Sequence, residues 1–168
     1  MHVKKTILLL IIIGTICSCI NPFAPARMDA DAGFVIGDQT TISGFFQSFS
    51  YAYNMRDTVV YGKLLADDFI FTYMNYKEGM VFSWTRDEDM RATYRLFNAA
   101  QNFDFVWNEI VMQSGNDTSQ IISRSFDLTI SFSPTDVERV NGRAYFILKR
   151  SEPTENWMLS FWRDDSFY

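Results

Sequence analysis

The chain has 168 residues, 48% of them hydrophobic and 17% aromatic, with a formal net charge of -5. One domain of ordinary size with a real core fits that length and composition, which excludes a chain disordered throughout. Taking Lys4 and Lys5 away with a leader leaves 15 − 2 = 13 basic against 20 acidic residues, or 13 − 20 = -7, which excludes a phosphate-neutralising nucleic-acid surface and electrostatic attachment to anionic lipid.

Lys4 and Lys5 form a short positive region, and Ile7–Ile13 is unbroken apolar sequence. The run is shorter than the roughly 20 residues needed to cross a bilayer, so the pattern predicts an export signal. Ile16-Cys17-Ser18-Cys19 follows. It resembles the lipobox of bacterial lipoproteins: an aliphatic residue, a variable small residue, a small residue, then cysteine. The resemblance implies a signal peptide over 1–18, cleavage after Ser18, and lipid (palmitate or a similar acyl chain) on Cys19. Cys17 fits less well as the acceptor, because bulky Ile16 precedes it. The alternative is secretion after cutting by ordinary signal peptidase. Each buried CH₂ adds about 0.8 kcal/mol, and two or more chains make such anchoring to a membrane stable. Ile20 rather than Asp after the cysteine implies the outer membrane, facing the periplasm, if the envelope is Gram-negative. Residues 19–39 carry Pro22, Pro25, Gly33 and Gly37 with few periodic apolar positions, and predict a tether to a domain over 40–168.

In that domain, Ile42, Phe45, Phe46, Phe49 and Tyr53 recur at helical spacing, with Thr40 or Thr41 as cap. Asp57 predicts the cap of a second, short helix that buries Val60, Leu64 and Leu65. Phe69–Tyr73 reads as a strand, and Gly79 as a loop. Thr85-Arg86-Asp87-Glu88 predicts a capping box, with Asp87, Glu88 and Asp89 at the positive end of a third helix running to about Asn98. Its Met90, Tyr94 and Phe97 share a face. Strands follow: Phe103, Phe105 and Trp107 alternate with polar positions, and Gly115-Asn116-Asp117 is a turn. Phe126, Leu128, Ile130 and Phe132 alternate with Ser125, Asp127, Thr129 and Ser131, a strand with one wet face. Asn141-Gly142 signals a hairpin turn. Tyr145–Lys149 and Trp157–Arg163 complete the sheet. The order predicts an α+β layer with helices on one face.

Three segments carry a further resemblance: Tyr53-Asn54-Met55-Arg56-Asp57, Leu64-Leu65-Ala66-Asp67-Asp68-Phe69, and Trp157-Met158-Leu159-Ser160-Phe161-Trp162. Together with the element order they resemble the NTF2-like superfamily over roughly residues 40–168. The resemblance implies a cone: three N-terminal helices packed on a strongly curved antiparallel sheet, with a conical cavity inside. Members include ketosteroid isomerases, dehydratases, polyketide cyclases, nuclear transport factor and many domains without activity, so the fold does not fix a function. Catalytic members often use an Asp–His pair, or an Asp base with a Tyr in the cone.

The only histidine is His2, and the only cysteines are Cys17 and Cys19. A domain without either residue type has no His-dependent triad, no Asp–His pair, no metal site built on His or Cys, and no disulfide. No motif calls for a cofactor. Asp127 is the candidate base, if the polar face of its strand lines the cone; otherwise that face meets water. Tyr51, Tyr73 and Asp127 are the candidate ligand contacts, with one of the tyrosines as donor. Asp67 and Asp68 point oppositely and form no shared-proton dyad. The charge-rich run of Arg86, Asp87, Glu88, Asp89, Arg91 and Arg95 reads as a solvated helix face, and Arg163-Asp164-Asp165 as a solvated terminus. Asn116-Asp117-Thr118 is no more than a turn. Trp107, Tyr145, Trp157, Phe161 and Trp162 are candidates for an aromatic sheet surface that meets a partner protein or a second copy of the chain. The expected function is a non-catalytic domain binding a partner protein or a small apolar ligand at a membrane. The alternative is an isomerase or dehydratase using Asp127, and a carrier shares the cavity without the base.

Overall fold

The computed structural model describes residues 35–167. The expected signal segment, Cys19 and the tether up to residue 34 lie outside them. The elements are α1 (Ile42–Met55), α2 (Thr58–Leu64), β1 (Leu65–Asn75), β2 (Met80–Thr85), α3 (Arg86–Ala99), β3 (Asn102–Gly115), β4 (Ser119–Ser133), β5 (Asp136–Lys149) and β6 (Met158–Phe167). The strands form one sheet in the order β2-β1-β6-β5-β4-β3. Neighbours are antiparallel except β1 and β6, which run parallel. This is the expected α+β layer of helices on a curved sheet.

Local chemistry sets each helix boundary. The Thr41 hydroxyl accepts the Gly44 N–H at 3.0 Å and starts α1. Arg56 ends it in the left-handed region at φ 55, ψ 38, uncommon for a residue with a side chain. The side chain compensates by donating from Nη1 to the Ala100 carbonyl at 2.8 Å, tying the end of α1 to the end of α3. Asp57 Oδ1 then accepts from the N–H groups of Val59 and Val60, both at 2.9 Å, and caps α2. Asn54 pins α1 to the sheet. Its Nδ2 donates to the Phe105 carbonyl at 3.0 Å, and its Oδ1 accepts the Phe105 N–H at 2.8 Å. Strand β3 is an edge strand, so Asn54 supplies partners that no neighbouring strand provides there. The Tyr-Asn-x-Arg-Asp segment thus earns its residue types from packing and capping. At α3, Glu88 accepts from the Thr85 N–H at 2.9 Å and hydroxyl at 2.8 Å, as the capping box predicts.

Helix α1 buries Phe45, Phe46 and Phe49 in the concave face of the sheet. Phe49 is fully buried and meets the rings of Tyr53, Tyr61, Phe105, Trp107, Phe146 and Trp162 at centroid distances of 4.9–5.8 Å. Inward-facing residues keep an even spacing: the buried ones recur every second position in β5 (Ala144, Phe146 and Leu148) and every fourth in β4 (Ile122, Phe126 and Ile130).

Three expectations change. Asn141-Gly142 is not a turn: it lies inside β5, paired with Asp127 and Phe126 of β4. The β4–β5 turn falls at Pro134-Thr135 instead. Glycine is required at 142 because a Cβ there would stand 2.4 Å from Ser166 Cα, so the strands approach too closely for a side chain. Strand β2, absent from the pattern reading, pairs with β1 over Met80–Thr85. The expected tether is already tied to the domain by Gly37, which donates to Ser48 Oγ at 3.0 Å. Gln39 follows, with Nε2 donating to the Trp157 carbonyl at 2.8 Å.

Candidate functional site

The open end of the cone holds a cavity of about 270 Å³. Helix α1 contributes Tyr53 and helix α3 contributes Leu96. The sheet contributes Phe71, Phe105, Trp107, Phe126, Leu128, Ile130, Val140 and Trp162, and β6 adds Asp164 and Ser166. The strand alternation explains the set: Phe105 and Trp107, Phe126, Leu128 and Ile130, and Trp162, Asp164 and Ser166 each share the inward side of a strand. The rings form a continuous wall. Phe71 meets Trp162 edge-on at 4.9 Å, Phe105 meets Trp107 edge-on at 4.7 Å, and Phe105 stacks on Phe126 at 5.6 Å. A dry cavity of roughly 150 Å³ holds benzene, so this one suits a compact molecule of about two rings.

Polar groups on the wall are few. Asp164 Oδ1 accepts the Ser166 N–H at 3.0 Å and also the Ser166 hydroxyl, which fixes the carboxylate. No lysine, arginine or histidine lines the cavity. Trp107 Nε1 and Trp162 Nε1 are buried and have no hydrogen-bond partner among the described residues. Their N–H groups are enclosed, so the indoles present carbon to the cavity. Arg124 also faces inward but lies over the Phe46 ring at 4.7 Å and donates from Nε to the Asn108 carbonyl at 2.9 Å.

Behind Tyr53 lies a buried acid. Asp89 is 3% exposed, and its Oδ2 accepts the Tyr61 hydroxyl at 2.7 Å. Burial pushes the Asp89 carboxyl up to about 6, while the Tyr61 hydrogen bond opposes that rise. Burial, then the charge of Asp89, pushes the Tyr53 phenol upward, so Tyr53 is a neutral hydroxyl on the cavity wall. Tyr61 is pushed up as well, first by burial.

The structure moves most of the sequence-predicted site residues out of the cone. Asp127 is exposed on the opposite side of β4 from Phe126, and its Oδ2 accepts from Asn108 Nδ2 at 2.8 Å. It is therefore not a desolvated base. Tyr73 stacks on Phe82 at 5.5 Å, and neither Tyr73 nor Tyr51 lines the cavity. Asp164, expected in a solvated terminus, is the cavity carboxylate. Asp89, expected on a solvated helix face, is buried. Both were legible in part, Asp164 through its two-residue spacing from Trp162. Trp107, Trp157 and Trp162 belong to or pack against the core, whereas Tyr145 and Phe161 pair on the outer face at 6.3 Å. Asp67 and Asp68 are both exposed and, with Arg86 and Asp87, line an outer cleft of about 420 Å³. Among the described residues no group of three or more acids, histidines or cysteines is placed to hold a metal ion.

No protein-family profile and no curated protein matches the chain. Solved structures do. A candidate scytalone dehydratase of Novosphingobium aromaticivorans is similar at TM-score 0.65 and 12% identity, covering 76% of this chain and 82% of that one. A candidate dehydratase of the NTF2-like family from Streptomyces avermitilis is similar at 0.58 and 14%, covering 76% of this chain and 94% of that one. An NTF2-like protein of Cytophaga hutchinsonii is similar at 0.60 and 14%, covering 75% and 95%. At such identities the likeness shows the fold: an NTF2-like cone.

Proposed function

From the NTF2-like fold, we propose that this chain is a membrane-anchored binding protein whose cone takes a small, largely apolar molecule. The observation that carries the reading is the cavity of about 270 Å³ walled by aromatic and aliphatic side chains. A concave, mostly apolar site with a few fixed polar groups is the usual form of a small-molecule site. The outer-face Asp127 offers such a ligand nothing, so the reading needs no general base. Anchoring rests on Cys19 and the residues before it. Among the described residues no helix is long and apolar enough to cross a membrane. The anchored segment joins the domain at Gly37–Gln39, beside Trp157. Strand β5 runs from Val140 at the cavity to Lys149 near that junction, about 30 Å at the usual rise per residue. The cavity thus lies about that far along the sheet from Gly37–Gln39.

The test is calorimetric titration of the purified full chain with naphthalene-ethanol, a neutral two-ring probe. Saturable one-to-one binding is expected, and Val140→Trp, which fills the cavity, is expected to abolish it without lowering the melting temperature. Equal binding by the filled variant would place the site elsewhere, and absence of binding would contradict a two-ring cavity.

A further inference from the structure

A second groove lies among the helices and shares no lining residue with the cone cavity. The end of α1, the start of α2 and the last turns of α3 enclose about 260 Å³ among Met55, Arg56, Thr58, Tyr94, Phe97 and Asn98. Phe97 fixes it to the core: its side chain is buried, with its ring edge-on to Tyr53 at 5.2 Å. Around it, Met55, Val59 and Tyr94 stand 48%, 66% and 59% exposed. Exposed apolar side chains gathered at a concave place mark a contact site. Sites for whole small molecules run to roughly 300–1,000 Å³, so this groove suits one large side chain and a stretch of backbone.

The charges beside the groove are of one sign, against the net charge of -5 of the chain. Arg91 and Arg95 share the exposed face of α3 with Tyr94 and Asn98. Residues 42–56 and 90–103 contain no Asp or Glu. Asp57, at the start of α2, commits its Oδ1 to the N–H groups of Val59 and Val60. Asp104 lies on the other side of β3 from buried Phe103 and Phe105. Among the described residues the ion pairs are Lys149–Asp68 and Arg163–Asp165, so Arg56 and Arg95 belong to none. Arg91 is partly balanced, since it adds to the hold of Thr85 on the Glu88 carboxyl. Arg56 Nη1 donates to the Ala100 carbonyl at 2.8 Å, which offsets the negative end of α3 and orients the guanidinium without neutralising it.

We propose that this groove docks an acidic segment of a partner protein, its carboxylates against Arg56 and Arg95 and one apolar side chain between Met55 and Tyr94. A guanidinium presents two parallel donors that match a carboxylate. Asn98 donates through Nδ2 to the Tyr94 carbonyl at 2.7 Å, which leaves its Oδ1 to accept a peptide N–H. A flat anionic bilayer offers the same charge but does not enter a groove, and the acidic remainder of the chain opposes it. The site is separate from the cone, so this inference and the reading of the cavity stand or fall independently.

The test is a magnetic-resonance titration of the isotope-labelled full chain with the blocked peptide Asp-Glu-Phe-Glu-Asp, beside its uncharged counterpart Asn-Gln-Phe-Gln-Asn and vesicles of phosphatidylglycerol. Saturable shifts are expected at the amides of Met55, Arg56, Tyr94 and Asn98 with the acidic peptide, and salt is expected to weaken them. Arg95→Ala is expected to weaken the peptide by about fivefold and Tyr94→Ala by about tenfold. Both side chains are exposed, so an unchanged melting temperature shows that neither loss comes from unfolding. Equal binding of the uncharged peptide would overturn the charge assignment. Unchanged binding by both variants, or shifts at Phe71 and Leu128 instead, would place the peptide elsewhere and overturn the site. Binding of the vesicles without the peptide, or of neither, would overturn the protein partner.

Discussion

Asp89 gives the most quantitative prediction. Its carboxyl is 3% exposed and pushed up to about 6, against 3.8 for an unperturbed side chain, with burial as the main cause. Between those values the folded protein holds a proton that the unfolded chain has released. Stability therefore falls as pH rises through the window from about 4 to about 6, and the loss is complete above it. One pH unit corresponds to about 1.4 kcal/mol, so a difference of about two units lowers stability by about 3 kcal/mol. Asp38 and Glu88 act in the opposite sense. Hydrogen bonds from Thr40 and from Thr85 hold their carboxyls low, so they add stability as pH rises. The wild-type profile mixes these effects, and the difference from Asp89→Asn isolates the buried acid. Urea unfolding of both proteins from about pH 4 to about pH 7 is the assay. The wild-type stability minus that of Asp89→Asn is expected to drop by about 3 kcal/mol across the range. A flat difference would refute the reasoning that the folded domain buries this carboxylate at the cost of its charge.

Asn54→Ala removes two hydrogen bonds to the Phe105 backbone and strands both groups on an edge strand. A loss of about 2–4 kcal/mol is expected in urea unfolding, and a loss under about 0.5 kcal/mol would contradict the pinning role. Gly142→Ala forces a Cβ against Ser166 and is expected to cost about 1–3 kcal/mol; an unchanged melting temperature would contradict the close approach. Cys19→Ser is expected to release the protein into the soluble fraction, and continued membrane retention would refute lipid anchoring at that residue.

The helices were legible because their signals are local. Thr41, Asp57 and the Thr85–Glu88 box cap helices within a few residues of where they stand, and each does so in the structure. Strand faces were legible where alternation is long: once Phe126 is inward, Asp127 must be outward. Failures came where a tertiary contact overrode a local signal. Asn141-Gly142 has the residues of a hairpin turn, but the close approach of β6 claims the glycine for the middle of a strand. Asp89 sits among Arg86, Asp87 and Glu88, and only the third helical face, turned to Tyr61, separates it from its solvated neighbours. Strand β2 spans only six residues and runs straight into the capping box at Thr85, so the alternation of Phe82 and Trp84 with Ser83 and Thr85 is too brief to stand out beside the helix signal. Asp164 follows the period of Trp162, but the charges of Arg163 and Asp165 on either side give the segment the look of a solvated end.

The central claim is that the cone encloses a ligand, and a crystal soaked with brominated naphthalene-ethanol tests it most directly. The account predicts a single anomalous bromine peak inside the cone, among Phe71, Leu128 and Trp162. A cavity without such a peak, or bromine bound only outside the cone, would contradict it.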